Sequence, residues 1–211
     1  MSGSRAQASI IGYVQAGGAS SRFGSDKALA KLCGKTMLER MCDLVRQAIG
    51  EVRIVAQPGR YSIDGVASVA DRWPGEGPLG GIATALADAA SSQPRSEWAL
   101  ILSCDMPFLT VAWLQFLADC AAKSSANAIV PRSENGLEPL CACWSIATAR
   151  KVESEFRAGT RKVTQALQAL RVEVLDEKDW KRFDTNGRLF WNMNTQADYE
   201  EACRIVAAEN L

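Results

Sequence analysis

The stretch Trp98-Ala99-Leu100-Ile101-Leu102-Ser103, followed at once by Cys104-Asp105-Met106-Pro107, decides how this chain is read. Apolar residues in unbroken succession, without polar alternation, predict a strand buried on both faces. Such strands lie at the centre of a sheet covered by helices on each side. The run gives way to a carboxylate and then a proline, which cannot extend a central strand, so Asp105 is held at the carboxyl edge of the sheet.

Outward from that strand, strand-like and helix-like segments alternate. Toward the N-terminus stand the short apolar strand Ile10–Val14 and a helical face at Met37, Leu38, Met41, Leu44, Val45, Ala48 and Ile49, capped by Thr36 and stopped by Gly50. Strands at Val52–Ala56 and Val66–Ala70 follow, then a small-residue helix carrying Ile82, Ala85, Leu86 and Ala89. Toward the C-terminus come a helix capped by Thr110, strands at Ala128–Pro131 and Leu140–Trp144, and a helix around Ile146–Phe156. A further helical face (Val163, Leu167, Leu170), the strand Val172–Leu175 and a terminal helix capped by Thr195 complete the chain. This alternation needs crossover connections and predicts a mostly parallel sheet flanked by helices. With no internal repeat and no low-complexity linker, the expectation is a single Rossmann-like three-layer α/β/α domain over residues 1–211, with residues 1–9 flexible.

Composition excludes several functions. The 211 residues carry 24 Lys plus Arg against 24 Asp plus Glu, a zero net charge that argues against binding nucleic acid by bulk phosphate neutralisation. The chain has no histidine, which removes a Ser-His-Asp triad, an HExxH zinc site and any imidazole base. Catalysis must then come from carboxylates, Lys and Arg, thiols, backbone amides, or a metal held by oxygen. No apolar run approaches the ~20 residues of a bilayer span. Met1–Ser9 lacks the apolar core of a secretory signal, and the seven cysteines fit reduced thiols. The expectation is a soluble cytoplasmic protein with neither a membrane nor a nucleic-acid partner.

In open α/β sheets ligands sit beyond the carboxyl ends of the strands, and three loops there carry unusual chemistry. The first is Gln15-Ala16-Gly17-Gly18-Ala19-Ser20-Ser21-Arg22-Phe23-Gly24-Ser25-Asp26-Lys27. Its paired glycines let backbone N–H groups turn toward a ligand, and Arg22 and Lys27 suit a polyphosphate. Glycine and charge alone fit a long solvated turn equally well. The second, Gly75-Glu76-Gly77-Pro78-Leu79-Gly80, matches GxGxxG, but Pro78 removes an N–H and the segment follows a third strand rather than a first. A rigid turn that starts a helix and places Asp71 is preferred over an NAD site. The third is Asp105, a hard oxygen ligand of the kind that suits Mg2+, with a helix cap or turn aspartate as the bland alternative. Cys141 and Cys143 fall on one face of a strand, where core packing is preferred to zinc ligation.

Taken in order, these loops resemble the molybdenum cofactor guanylyltransferase (MobA) family, of the nucleotide-diphospho-sugar transferase fold. The family's Leu-Ala-Gly-Gly, then Ser-x-Arg-Met-Gly-x-Asp-Lys, stands here as Gln15-Ala16-Gly17-Gly18, then Ser20 to Lys27. Its Gly-Pro-Leu-x-Gly matches Gly77 to Gly81 with Asp71 upstream, its Cys-Asp-x-Pro matches Cys104 to Pro107, and its Asn-x-Asn-Thr matches Asn192-Met193-Asn194-Thr195. The correspondence runs from about Ile10 to Tyr199. Two positions depart from the pattern and bear on base selectivity: Gln15 replaces leucine, and Val55, with Gln57 nearby, stands where an asparagine often ends the second strand.

The resemblance implies transfer of GMP from GTP to Mo-molybdopterin with release of pyrophosphate. By that resemblance Gln15, Ala16, Gly17 and Gly18 contact the nucleotide, Lys27 its phosphates and Asp71 the nucleoside. Asp105 holds Mg2+, Lys27, Arg22 and Asp105 form the catalytic set, and Asn192 and Asn194 lie on the pterin side. GTP and molybdopterin are the implied partners, with transient contact to cofactor-donating and cofactor-accepting proteins. Two other functions stay open: a sister nucleotidyltransferase using CTP or acting on a sugar phosphate, and a non-catalytic nucleotide-binding module.

Overall fold

The computed structural model describes residues 9–17 and 26–209. The expected flexibility of the first residues falls outside these, except for Ser9. In chain order the elements are β1 (Ile10–Gln15), the 3-10 turn Lys27–Leu29, the hairpin β2 (Lys31–Leu32) and β3 (Lys35–Thr36), α1 (Met37–Ile49), β4 (Val52–Ala56), β5 (Ala67–Ala70) and α2 (Pro78–Ser91). There follow β6 (Trp98–Ser103), α3 (Val111–Lys123), β7 (Ala128–Ser133), β8 (Gly136–Leu137), β9 (Cys141–Ser145) and α4 (Ala149–Arg157). The last are α5 (Val163–Leu167), β10 (Val172–Leu175), α6 (Glu177–Trp180) and α7 (Gln196–Glu209).

The main sheet has the order β10-β7-β9-β6-β1-β4-β5, with β8 added to β7 as a hairpin. The pairs β6/β1, β1/β4, β4/β5 and β7/β10 are parallel. β9 runs antiparallel between β6 and β7. The sheet is thus mostly parallel, as the alternation predicts. The reversed strand has a local cause: β9 follows the short β7–β8 hairpin rather than a crossover helix, so the chain re-enters the sheet in the opposite direction.

All six residues of β6 are buried, in keeping with a strand covered on both faces. Alternation along the strands splits the core in two. Val14, Leu100 and Leu102 face α1 and α3 through Met41, Val45, Trp113 and Leu117. Ile11, Tyr13, Val55 and Ile101 face α2, α4 and α5 through Ile82, Leu86, Phe156 and Leu167. A smaller cluster seats α7, with Ala202 and Val206 packing on Leu32, Met37 and Met193. Cys141 and Cys143 are fully buried in the first core, and burial pushes the Cys141 thiol up to about 12. Both are packing residues.

The three helix starts expected from threonine caps are present. Thr36 and Glu39 form a reciprocal capping box on α1. Thr110 Oγ1 accepts from the Trp113 amide at 3.2 Å, and Thr195 Oγ1 from the Asp198 amide at 3.2 Å. Several expected bounds shift: β1 runs on to Gln15, Val66 pairs with Ile63 in an isolated bridge outside β5, β7 extends to Ser133, and the 140s strand runs Cys141–Ser145. The segment expected as one helix from Ile146 opens as a 3-10 turn, Ile146–Thr148, before α4.

Close contact between α1 and the sheet depends on Gly12, whose amide donates to Glu51 O at 3.0 Å. A Cβ at Gly12 would lie 2.2 Å from Val45 Cγ1 and 3.1 Å from Glu51 O. Val45 is fully buried and β-branched, so it cannot swing aside. Gly12→Ala is therefore expected to lose about 1–3 kcal/mol in urea unfolding, as overpacked cores do. Adding Val45→Ala should recover part of that loss, and an undiminished midpoint in the single variant would refute the contact.

Candidate active site

Register brings the loops together. Gln15 pairs with Val55 on β4 and with Ser103 on β6, so three neighbouring parallel strands end level. The next residues continue the contacts: the Ala16 amide donates to Val55 O at 3.0 Å, and the Asp71 amide to Ala56 O at 2.7 Å. Beyond these ends opens a cavity of about 580 Å³, within the range of small-molecule sites. Gln15, Ala16, Gly17, Lys27, Asp71 and Asp105 all line it. Six of the nucleotide-side residues expected from sequence therefore share one cavity. Gly18 and Arg22 lie outside the described residues.

Lys27 and Asp105 form the polar floor of this site. Lys27 Nζ lies 3.8 Å from Asp105 Oδ2 and donates to Asn194 Oδ1 at 2.9 Å. The two side chains are 16% and 23% exposed, open enough for a ligand and enclosed enough to strengthen charge interactions. Asp105 is fixed from two further directions: Ser103 Oγ donates to Oδ1 at 2.5 Å, and the Met193 amide donates to the Asp105 carbonyl at 2.8 Å. The second contact draws the Asn192–Thr195 segment across the sheet edge. Asp198 then holds that segment by accepting from the amides of Asn194 and Thr195 at 2.8 and 2.7 Å. Burial acts to raise the Asp198 carboxyl, but those amides outweigh it and hold the carboxyl below the ordinary range. The two asparagines part company here. Asn194 reaches Lys27, whereas Asn192 donates to Phe190 O at 3.1 Å within its own turn.

Asp26 anchors the end of the glycine-rich loop. Its Oδ1 accepts from the Ala28 amide at 3.1 Å and starts the turn that carries Lys27. Its Oδ2 accepts from Tyr61 Oη at 2.7 Å and from Arg60 Nη2 at 2.7 Å. Burial acts to raise this carboxyl, yet the Tyr61 and Arg60 hydrogen bonds hold it below the ordinary range. Arg60 also lines the cavity and is a cation that the sequence reading passed over. Its only sequence signal is a charged residue beside an aromatic one after the Pro58-Gly59 turn.

Across the cavity, Asp71 Oδ1 accepts from the Trp73 amide at 3.0 Å and from Thr84 Oγ1 at 3.3 Å, tying the loop to α2. Gly77, at φ 95°, precedes Pro78 at the first turn of α2. That is the rigid helix-starting turn expected, with proline where its missing N–H costs nothing.

Residues 12–178 match the family described as MobA-like NTP transferase domain. The chain belongs to that family. The molybdenum cofactor guanylyltransferase of Desulfosudis oleivorans is 32% identical over 204 residues, covering 96% of this chain and 98% of the relative. The crystal structure of molybdopterin-guanine dinucleotide biosynthesis protein A from Archaeoglobus fulgidus superposes with a TM-score of 0.80 at 25% identity, covering 94% of this chain and 99% of the other. The family is one of nucleotidyltransferases, in agreement with the resemblance seen in the loops. The two departures from the family signature, Gln15 and Val55, are register partners on adjacent strands and both line the cavity.

Glu138, also missed in the sequence, lies behind the site and is 8% exposed. Burial pushes its carboxyl above the ordinary range, a 2.6 Å hydrogen bond from Ser133 pulls it back, and the Asp105 charge pushes it up again. A folded-state value above the unfolded one means that stability is fully present below the ordinary carboxylate range and is lost as pH rises through the folded value. Unfolding free energy measured against pH should therefore decline over that window in the wild type and less steeply in Glu138→Gln. Parallel curves would show that the carboxyl ionises freely.

Proposed function

We propose that this protein transfers GMP from GTP to the phosphate of molybdopterin, as a molybdenum cofactor guanylyltransferase, with the whole chain acting as one nucleotidyltransferase domain. The observation that carries this reading is that Lys27, steadied by Asn194, and Asp105 meet on the wall of a nucleotide-sized cavity in a chain of this family. The oxygen of the molybdopterin phosphate attacks the α-phosphorus of GTP while the bond to the β-phosphate oxygen breaks, and pyrophosphate leaves.

The absence of histidine suits this chemistry. A phosphate monoester is anionic near neutral pH, so the nucleophile needs no protein base. The protein's part reduces to holding the reactants in line and stabilising charge. Lys27 is placed to neutralise phosphate oxygens, joined by the Gly17 amide and, from the same loop, by Arg22 and Gly18. Asp71 holds the nucleoside side, and Gln15 and Ala16 the base side. Asn192 and Asn194 stand toward the acceptor, with Asn194 steering the Lys27 ammonium through their hydrogen bond.

The donor set at Asp105 fits a divalent cation. It is a single carboxylate on the cavity wall, one oxygen engaged by Ser103 and the other facing the site. Mg2+ takes one or two carboxylates and completes its shell with phosphate and water. Charge balance favours the same conclusion. Among the described residues the cavity is lined by the cations Lys27 and Arg60 against the carboxylates Asp26, Asp71 and Asp105, so these residues offer no surplus of positive charge for a triphosphate. When bound, the metal supplies Lewis-acid stabilisation of the phosphate oxygens. Its residence at Asp105 is part of this proposal, as are a cytoplasmic setting and transient contacts with proteins that donate and accept the cofactor.

The deciding assay is release of pyrophosphate from purified protein with GTP, molybdopterin and Mg2+. Asp105→Ala should abolish turnover while leaving the thermal transition in place, since the side chain lies at the sheet edge and outside both cores. Near-wild-type rates at saturating Mg2+ would remove Asp105 from the metal site. Lys27→Ala should weaken GTP binding about tenfold or more, the cost of a charge-assisted hydrogen bond. Calorimetry returning an unchanged affinity would take Lys27 out of the phosphate site.

A further inference from the structure

Arg60 stands in none of the segments that carry the family signature, yet it lines the cavity. Two neighbours hold its guanidinium. Asp26 Oδ2 accepts from Nε at 3.1 Å and from Nη2 at 2.7 Å, and the Tyr61 ring lies with its centroid 5.4 Å from Cζ. Those contacts occupy one edge and one face of the planar group. Nη1, on the other edge, has no hydrogen-bond partner among the described residues, and the side chain is 36% exposed.

A cation held in this way is oriented without being used up. Its position decides which part of a substrate it meets. The neighbouring strands stand in the order β6, β1, β4. Asp105 leaves β6 and, through the Met193 amide, keeps the Asn192–Thr195 segment on that side. Arg60 follows β4, on the other side of β1, and Asp26 joins it to the turn that carries Lys27. Lys27 thus connects with the acceptor side through Asn194 and with Arg60 through Asp26. The nucleoside end lies elsewhere: Asp71 is tied to α2, whereas Tyr61 packs in the core on the opposite face of the sheet. In displacement at phosphorus the entering and leaving oxygens stand roughly in line, on opposite sides of the phosphorus. With the acceptor phosphate on the Asp105–Asn194 side, the departing phosphates fall toward β4, where Nη1 is free.

We infer that Arg60 binds the β- and γ-phosphates of the donor nucleotide through Nη1 and holds them as they leave as pyrophosphate. This rests on the nucleotidyl-transfer reading above and deepens it by adding a residue for the leaving group. A guanidinium stays protonated, so Arg60 gives no proton to the pyrophosphate. Its part is a charge-assisted hydrogen bond that strengthens as the bond from the α-phosphorus to the bridging oxygen breaks and negative charge passes to the leaving group.

The test measures affinities by calorimetry, with Mg2+ present, for inorganic pyrophosphate, GTP and GMP. Arg60→Met keeps the length of the side chain and loses the cation. Its affinities for pyrophosphate and GTP should fall about tenfold, the loss of one charge-assisted hydrogen bond. Affinity for GMP, which lacks the leaving phosphates, should stay within about twofold. Arg60→Gln discards the charge but keeps an N–H2 for Asp26, and should lose pyrophosphate affinity as Arg60→Met does. Tyr61→Phe removes the other side chain that holds Asp26 and leaves the Arg60 cation, so its pyrophosphate affinity should stay within about twofold. Unchanged pyrophosphate affinity in both Arg60 variants, or an equal loss for GMP, would overturn the assignment. So would a loss in Tyr61→Phe as large as in Arg60→Met, because Arg60 would then act only by anchoring Asp26. The two readings fail separately. A wild type that binds pyrophosphate through Arg60 but releases none from GTP and molybdopterin counts against guanylyl transfer. An active wild type whose Arg60 variants bind pyrophosphate unchanged counts against Arg60 alone.

Discussion

Everything at this site depends on β1 being hydrogen-bonded on both sides in a register that levels three strand ends. Gln15 stands opposite Val55 and Ser103, so the chain leaves β1, β4 and β6 at the same height. A slip of one residue would turn every side chain of β1 to the other face and exchange the contents of the two cores. Gly12 supports this register from below by letting the backbone near Glu51 approach where any larger residue would strike Val45. The sheet is therefore both the packing centre and the ruler that measures out the cavity.

On that edge the chain spends its charge locally. A net charge of zero conceals a floor where Lys27 lies between Asp105 and Asn194, and a second cation, Arg60, clamped by Asp26. Each of these groups is held in place by neighbours before any ligand arrives. Ser103 and the Met193 amide fix Asp105, Tyr61 steadies Asp26, and Asp198 secures the segment bearing Asn194. Such prior orientation is what electrostatic stabilisation requires, because dipoles already in place need not reorganise as charge develops. It also accounts for an enzyme without histidine: when the substrate supplies the anionic nucleophile, positioning and charge are what remain for the protein.

The elements themselves were legible because their signals are local. The unbroken apolar run at Trp98–Leu102, the helical spacing after Thr36 and the three threonine caps each depend on neighbours within a few residues. The loop motifs were legible for the same reason, as glycine, proline and carboxylate placed directly after strands. The reversal of β9 was not, because a strand's period is the same in either direction and only the hairpin before it sets the sense. Arg60 and Glu138 were missed because a lone charge in a loop or behind a strand carries no periodic mark.

What the sequence determined by itself is the kind of chain this is: an alternating α/β protein with three reactive loops at strand ends and no means of imidazole catalysis. What only the tertiary structure decided is which of those loops meet, and through which atoms. Lys27 finds Asn194 across 167 positions, and the Met193 amide finds the Asp105 carbonyl. Gln15 finds space only because position 81 is glycine. Contacts of this kind depend on the register and tilt of elements distant in the chain, whereas hydrophobic period and turn chemistry report only on residues that are near neighbours.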